Sequence, residues 1–277
     1  MPISAASLGI PKIIYSLWLQ GADNAPETVR AVFRQWAALN PGYELRVLAR
    51  EEVDALLGGS AVRYREMTAP ALSDVVRSRL LLEGGVWVDA SLFPSAPLDW
   101  WLPPLVAKSG FFAFEKPGED RPLSSWFLAA AKEHILVSKW SREVERYWSK
   151  PRSQASYQGS HIPPDPVWEV APNGGAVGNE FPYYWFHYLF RYLLETDPEF
   201  ASRWHHCSKI AADPSHRLQE LFAEGGRPSA NAIIEAVRGA PVHKLDRRRS
   251  YPFDILGDAA LASGGQFHRA AGEMGRR

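Results

Sequence analysis

The amino-acid sequence predicts an α/β fold: a mostly parallel central sheet flanked by helices, followed by a helical C-terminal part. Two observations carry this. Strand-like and helix-like segments alternate through the first hundred residues and are punctuated by Gly, Pro and Asn, the pattern of parallel strands joined by crossover helices. Further on, apolar residues recur at three- and four-residue spacing, as on one face of a helix. At 277 residues the chain fits one elaborated domain, expected over residues 1–256.

Lys12 to Trp18 is β-branched and aromatic and reads as a buried strand. Pro26 opens a helix whose apolar residues Val29, Val32, Phe33, Trp36 and Leu39 share one face, and Asn40-Pro41-Gly42 stops it. Tyr43 to Leu48 follows as a strand, then Glu51 to Leu57 as a short helix closed by Gly58-Gly59. Ser73 is placed to cap a helix running to Glu83, with Gly84-Gly85 ending it. Val86-Trp87-Val88-Asp89 is then a short strand, with Val86 and Val88 on one face and Trp87 and Asp89 on the other. Asp89 therefore stands at the carboxyl end of a parallel strand, where open α/β sheets bind ligands.

Past residue 95 the pattern loosens. Phe111 to Glu115 reads as a strand, Trp126 to Ala131 as a buried strand or helix, His134 to Trp148 as an amphipathic helix, and Phe181 to Glu195 as a helix. Residues 149–180 are rich in Pro and Gly, and Pro163 to Gly178 is the candidate lid or acceptor loop. From Gly257 a Gly- and Ala-rich stretch reads as an unfolded tail, 257–277.

Composition excludes several classes. Lys plus Arg and Asp plus Glu are 31 each, so the formal charge is zero and no basic excess exists to neutralise nucleic-acid phosphates. The single cysteine, Cys207, rules out an intrachain disulfide and a Cys-cluster zinc site, and points to a reducing cytoplasm. No apolar window is long enough to span a bilayer. The aromatic load, with 11 Trp, 10 Tyr and 13 Phe, suits a core first and stacking on sugars or bases second. There is no P-loop, His-Glu-x-x-His, Gly-x-Ser-x-Gly or strand-following Gly-x-Gly-x-x-Gly. His205-His206-Cys207 reads as a surface helix, since adjacent helical side chains point apart.

Residues 73–91, SDVVRSRLLLEGGVWVDAS, concentrate the chemistry. Asp74 and Arg77 lie one helical turn apart and face the same way. They form either a surface ion pair or a carboxylate and guanidinium aimed at one polar ligand. Asp89 adds a hard oxygen donor of the kind that binds Mg²⁺ or Mn²⁺ together with phosphate oxygens.

This segment resembles the nucleotide-sugar-binding core of GT-A glycosyltransferases, and more narrowly the capsular polysaccharide synthesis glycosyltransferases. These are related to the Asp-x-Asp sugar transferases and the clostridial glucosylating toxins. The shared pattern is Ser-Asp-x-x-Arg followed by Leu-x-x-x-Gly-Gly-x-aromatic-x-Asp, carried here at residues 73–89. Residues 10–21, Trp36 with Asn40 to Leu45, and more weakly Ser125 to Phe127, Tyr184 to His187 and Val242 to Leu245 extend it.

The resemblance implies a GT-A-like single domain with a donor-binding half over about residues 10–115 and an acceptor or lid half over about 116–256. It implies that Trp18 stacks on the donor base and that Asp74 and Arg77 hold ribose or sugar hydroxyls. Gly84, Gly85 and Ser91 complete the donor site. Asp89 meets a divalent metal, Mn²⁺ or Mg²⁺, and His243 either joins it from the C-terminal region or lies with Lys244 near the phosphates. Asp89, His243 and Lys244 are thus the expected catalytic set. Ser91 stands where the wider group has a second Asp, which leaves one carboxylate fewer for the metal.

The implied activity is retaining transfer of a hexose from a nucleotide sugar to a surface or capsular polysaccharide or its lipid-linked precursor, in the bacterial cytoplasm. A lipid-linked acceptor brings peripheral contact with the inner face of the membrane. The alternative is a degenerate, non-catalytic domain that binds glycan or a partner, motivated by Ser91 and the aromatic load.

Overall fold

The computed structural model describes residues 9–64, 67–150, 152–154, 165–172, 180–223 and 228–262. Strand β1 (Ile13–Leu17) is central to the N-terminal half. Helix α1 (Glu27–Leu39) starts behind Pro26 and ends at Asn40, whose side chain is the stop. Its Nδ2 donates to the Trp36 carbonyl at 3.0 Å, and its Oδ1 accepts from the Leu98 amide at 2.7 Å. Strand β2 (Glu44–Leu48), helix α2 (Arg50–Leu57) and helix α3 (Ala69–Leu80) follow. Helix α3 begins a turn earlier than Ser73 would allow as a cap, because Thr68-Ala69-Pro70 supplies an extended cap residue and a helix-compatible Pro in the first turn. Ser73 is instead inside the helix.

Strand β3 (Gly85–Val88) pairs parallel to β1, and β1 pairs parallel to β2. A short strand β4 (Leu92–Pro94), helix α4 (Leu98–Val106) and the long hairpin β5 (Phe111–Gly118) and β6 (Arg121–Ala130) come next. Residues 126–130 are thus strand, and the hairpin pairs antiparallel with β3, giving the order β2-β1-β3-β6-β5. Helix α5 (Ile135–Tyr147) and the two-residue strands β7 (Ser153–Gln154) and β8 (Glu180–Phe181) precede helix α6 (Trp185–Thr196). Phe181, expected in that helix, belongs to β8. Helices α7 (Pro198–His205), α8 (Asp213–Ala223) and α9 (Ala230–Arg238) lead to strand β9 (Val242–Lys244), which pairs antiparallel with β4. A last helix spans 253–262.

Strand alternation divides the core into two layers. Tyr15, Trp87, Phe111, Ala113 and Leu128 face helices α3, α5, α6 and α7. Ile14, Val86, Val88, Phe112, Phe114 and Phe127 face α1, α4, α8 and α9. Most of the aromatic load is spent here: Trp36, Trp87, Trp140, Trp148 and Trp185 are fully buried. The tail expected from Gly257 does not begin there. Residues 257–262 continue the last helix and bury Ala259 and Ala260 against the second layer; the remainder, 263–277, lies outside the described residues. Most of the expected lid, Pro163 to Gly178, also lies outside them. Among the described residues no helix is long and apolar enough to cross a membrane.

The Gly84-Gly85 turn launches β3. Gly84 has φ +75°, and a Cβ there would lie 2.6 Å from the Lys132 amide nitrogen. Gly84→Ala is expected to destabilise by more than about 1 kcal/mol, lowering Tm by several degrees in a thermal melt; an unchanged Tm would contradict this role.

Candidate active-site cleft

Asp89 follows the last residue of β3 at its carboxyl end. The Asp89 amide donates to the Trp126 carbonyl at 2.9 Å, and its own carbonyl accepts from the Leu92 amide at 2.9 Å, which turns the chain into β4. Alternation puts the Trp87 and Asp89 side chains together, and the Trp87 indole N–H donates to Asp89 Oδ1 at 3.1 Å. Helix α3 covers this face and delivers Arg77. Its Nη2 donates to Asp89 Oδ1 at 3.1 Å and to Ser73 Oγ at 2.7 Å, its Nη1 to the Ser125 carbonyl at 2.5 Å, and its Nε to the Ser73 carbonyl at 3.2 Å. The guanidinium also lies 4.9 Å from the Trp87 ring centre, and Asp74 Oδ1 is 3.4 Å from Nη1. With its side chain only 5% exposed, Arg77 spends its donor fork inside the protein.

A second cation arrives from 155 residues further along the chain. Lys244 Nζ donates to Asp89 Oδ2 at 2.5 Å. The β4/β9 ribbon sets this up: Leu92 pairs with Lys244, Phe93 with His243, and the Leu245 amide donates to the Ser91 carbonyl at 2.8 Å. Asp89, Arg77 and Lys244 line a cleft of about 430 Å³ at the carboxyl ends of β1 and β3. Trp18, just past β1, forms part of its wall, and the Arg247 guanidinium lies 5.6 Å from the Trp18 ring centre. Tyr183 and His187 close the side nearest α6. Trp18 Nε1 and His187 Nδ1 are buried with no hydrogen-bond partner among the described residues.

Burial would raise the Asp89 carboxyl, but Lys244 and Arg77 outweigh it and hold the group far below the usual carboxylate range, fully ionised. Asp74 goes the other way. Burial raises it to about 7, with the Arg77 attraction opposing and the neighbouring Asp89 charge adding to the rise. His187 is pushed down to about 3 by burial and by Arg121 and Arg77, so it is a neutral imidazole.

Residues 4–163, more than half of the sequence, match the model of the family described as capsular polysaccharide synthesis protein. The chain belongs to that family. It is also similar to the putative glycosyltransferase HOC1 of Saccharomyces cerevisiae, at 27% identity over 125 residues, covering 42% of this chain and 31% of that protein. The chain thus spans about a third of that relative's length. Among solved structures, the PaToxG glycosyltransferase aligns over 94% of this chain and 87% of its own, at 14% identity and a TM-score of 0.38. A glycosyltransferase involved in the glycosylation of the major capsid of PBCV-1 aligns over 89% of this chain and 98% of its own, at 12% identity and the same TM-score.

Trp18, Asp74, Arg77, Asp89, Ser91 and Lys244 line one cleft. Three expected members do not. Gly84 and Gly85 sit at the opposite end of β3, about 13 Å of extended chain from Asp89, and make the turn described above. His243 alternates with Lys244 on β9 and so faces away. It is fully buried, with Nε2 3.1 Å from the Val237 carbonyl and 3.2 Å from Ser95 Oγ, and burial lowers it to about 4. It is a neutral core histidine rather than a metal ligand or catalytic group. His187, Tyr183, Ser125 and Arg247 join the cleft without having been singled out. Ser125 and His187 fall in segments with weak family similarity, but no spacing rule ties them to Asp89.

The cleft does not fit a resident divalent ion. Both Asp89 oxygens already accept from cations, Asp74 pairs with Arg77, and Ser91 offers a hydroxyl in place of a further carboxylate. Among the described residues no group of three or more His, Cys, Asp or Glu side chains is arranged to hold a metal.

The Asp74 shift has a stability consequence. The folded-state value of about 7 lies above the ordinary 3.8, so the folded protein binds this proton more tightly. Stability then falls as pH rises from about 4 to 7. Relative to Asp74→Asn, the wild type is expected to lose Tm across that window; parallel Tm profiles would contradict the shift.

Proposed function

We propose that this protein transfers a sugar from a nucleotide-sugar donor, bound in the cleft at Asp89, to a glycan or lipid-linked glycan acceptor. The observation that carries the proposal is the Asp89 cluster: an ionised carboxylate at the carboxyl end of a parallel strand, paired with Lys244 and Arg77, in a cleft that Asp74 and Arg247 also line. Family membership and the similarity to a putative glycosyltransferase point the same way.

The chemistry matches the layout. When a glycosyl–phosphate bond breaks, positive charge develops on the sugar and negative charge on the departing diphosphate. Fixed cations stabilise the leaving group as that charge appears. The Trp18 face offers a stacking surface for the donor base, a contact that is sequence-tolerant and worth about 1–3 kcal/mol. Asp74 accepts hydrogen bonds from donor hydroxyls when ionised, and Arg77 fixes Asp74 and Asp89 relative to each other. His187 and Tyr183, on the side nearest α6, face the acceptor. Retention of anomeric configuration belongs to this reading and rests on the resemblance to the Asp-x-Asp transferases and toxins. The acceptor-bearing compartment is the cytoplasm, with a lipid-linked acceptor presented at the membrane face.

Purified protein incubated with a panel of UDP-, GDP- and other nucleotide sugars is expected to release nucleotide repeatedly from one of them. Asp89→Asn is expected to slow that release by at least about 100-fold with the fold retained. Release unaffected by Asp89→Asn would sink the assignment, and donor binding without turnover, with acceptor glycans supplied, would favour the non-catalytic alternative.

A further inference from the structure

The carboxylate expected to carry a divalent cation already carries a cation of the protein's own. Lys244 is not an incidental surface lysine that folded over. Its backbone is fixed by the β4/β9 pairing and by the Leu245-to-Ser91 hydrogen bond. Alternation on β9 sends His243 into the core and Lys244 to the cleft. Its side chain is 21% exposed, so it lines the cavity while remaining bonded to Asp89. An ammonium has three N–H donors, and Asp89 takes one.

The surroundings favour this cation over a metal. Mg²⁺ or Mn²⁺ needs about six oxygens and usually one or two carboxylates. Here the Asp89 carboxylate is shared between Lys244 and Arg77, and Asp74 is itself turned to the Arg77 guanidinium at 3.4 Å. A metal entering at Asp89 would have to displace Lys244 and sit beside Arg77, with like charges at contact distance.

We propose that Lys244 takes the place of the divalent cation: held by Asp89, its ammonium binds the donor diphosphate and neutralises it as it departs, so that transfer proceeds without metal. This rests on the sugar-transfer reading. In the step, the bond between the anomeric carbon and the β-phosphate oxygen breaks and its electron pair stays on the phosphate. A new bond forms from the anomeric carbon to the acceptor hydroxyl oxygen, whose proton leaves to the departing phosphate or to water. Lys244 stays protonated throughout, and no oxidant or reductant is involved.

The test uses the full chain, dialysed against EDTA. UDP and GDP binding is measured by calorimetry, and turnover of the donor selected by the nucleotide-sugar panel is followed with EDTA, Mg²⁺ or Mn²⁺. The wild type is expected to bind one of the two nucleotides and turn over equally, within about twofold, in all three conditions. Lys244→Met, which keeps the apolar stem, is expected to weaken nucleoside-diphosphate binding by about tenfold, roughly 1.4 kcal/mol, and to slow turnover by about 100-fold; Lys244→Arg should recover part of both. Turnover abolished by EDTA and restored by Mn²⁺ in the wild type would overturn the proposal without variants, and so would full metal-free turnover by a folded Lys244→Met. If neither nucleotide binds and no donor turns over with or without metal, the sugar-transfer reading itself falls, and this proposal with it.

Discussion

The Asp89 carboxylate is the point through which the cleft is assembled. Three separately encoded elements converge on it: α3 through Arg77, β3 through Trp87, and β9 through Lys244. None of these contacts is strong alone in water. Together, away from solvent, they satisfy a charge that would otherwise be costly to bury. Removing one cation leaves the carboxylate short of a partner, and removing the carboxylate leaves two cations facing each other. The cluster is therefore both a structural tie and a prearranged electrostatic field, the property on which the proposed transfer rests.

The rest of the fold serves that convergence. The Gly84-Gly85 turn sets where β3 begins, and hence where Asp89 ends up. Asn40 and the Trp36 indole, which donates to the Leu92 carbonyl at 2.7 Å, tie α1 to β4 and the start of α4. Strand β4 in turn positions β9, and through it Lys244. The aromatic core behind Arg77 has a second use. Trp87 and Phe186 present ring faces to the guanidinium, at 4.9 Å and 5.9 Å, and help hold it in place.

Much of this was legible in the sequence because it is local. The spacing of Asp74 and Arg77, the alternation of Val86 to Asp89, and the Asn-Pro-Gly stop after α1 each follow from one element's periodicity. Trp18, just past β1, was legible as the end of a strand, while its place in the cleft came from the family resemblance. What failed was long-range register. His243 and Lys244 were indistinguishable as candidates, because which of two neighbours faces a cleft depends on how β9 pairs with β4, and no local pattern fixes that. Gly84 and Gly85 were placed in the donor site by the motif that contains them, although Val86, Trp87 and Val88 separate the turn from Asp89. His187 and Arg247 were missed because their approach to the cleft is set by the packing of α6 and by the chain after β9, not by any spacing to Asp89.

A double-mutant cycle on turnover of the selected nucleotide sugar, with Asp89→Asn, Lys244→Met and the combined variant, measures whether the two residues act as one unit. If they do, the second substitution adds little once the first is made, and the coupling amounts to at least about 1.4 kcal/mol, or tenfold. Losses that simply multiply would show that Asp89 and Lys244 act independently, and would contradict a cleft organised around their pairing.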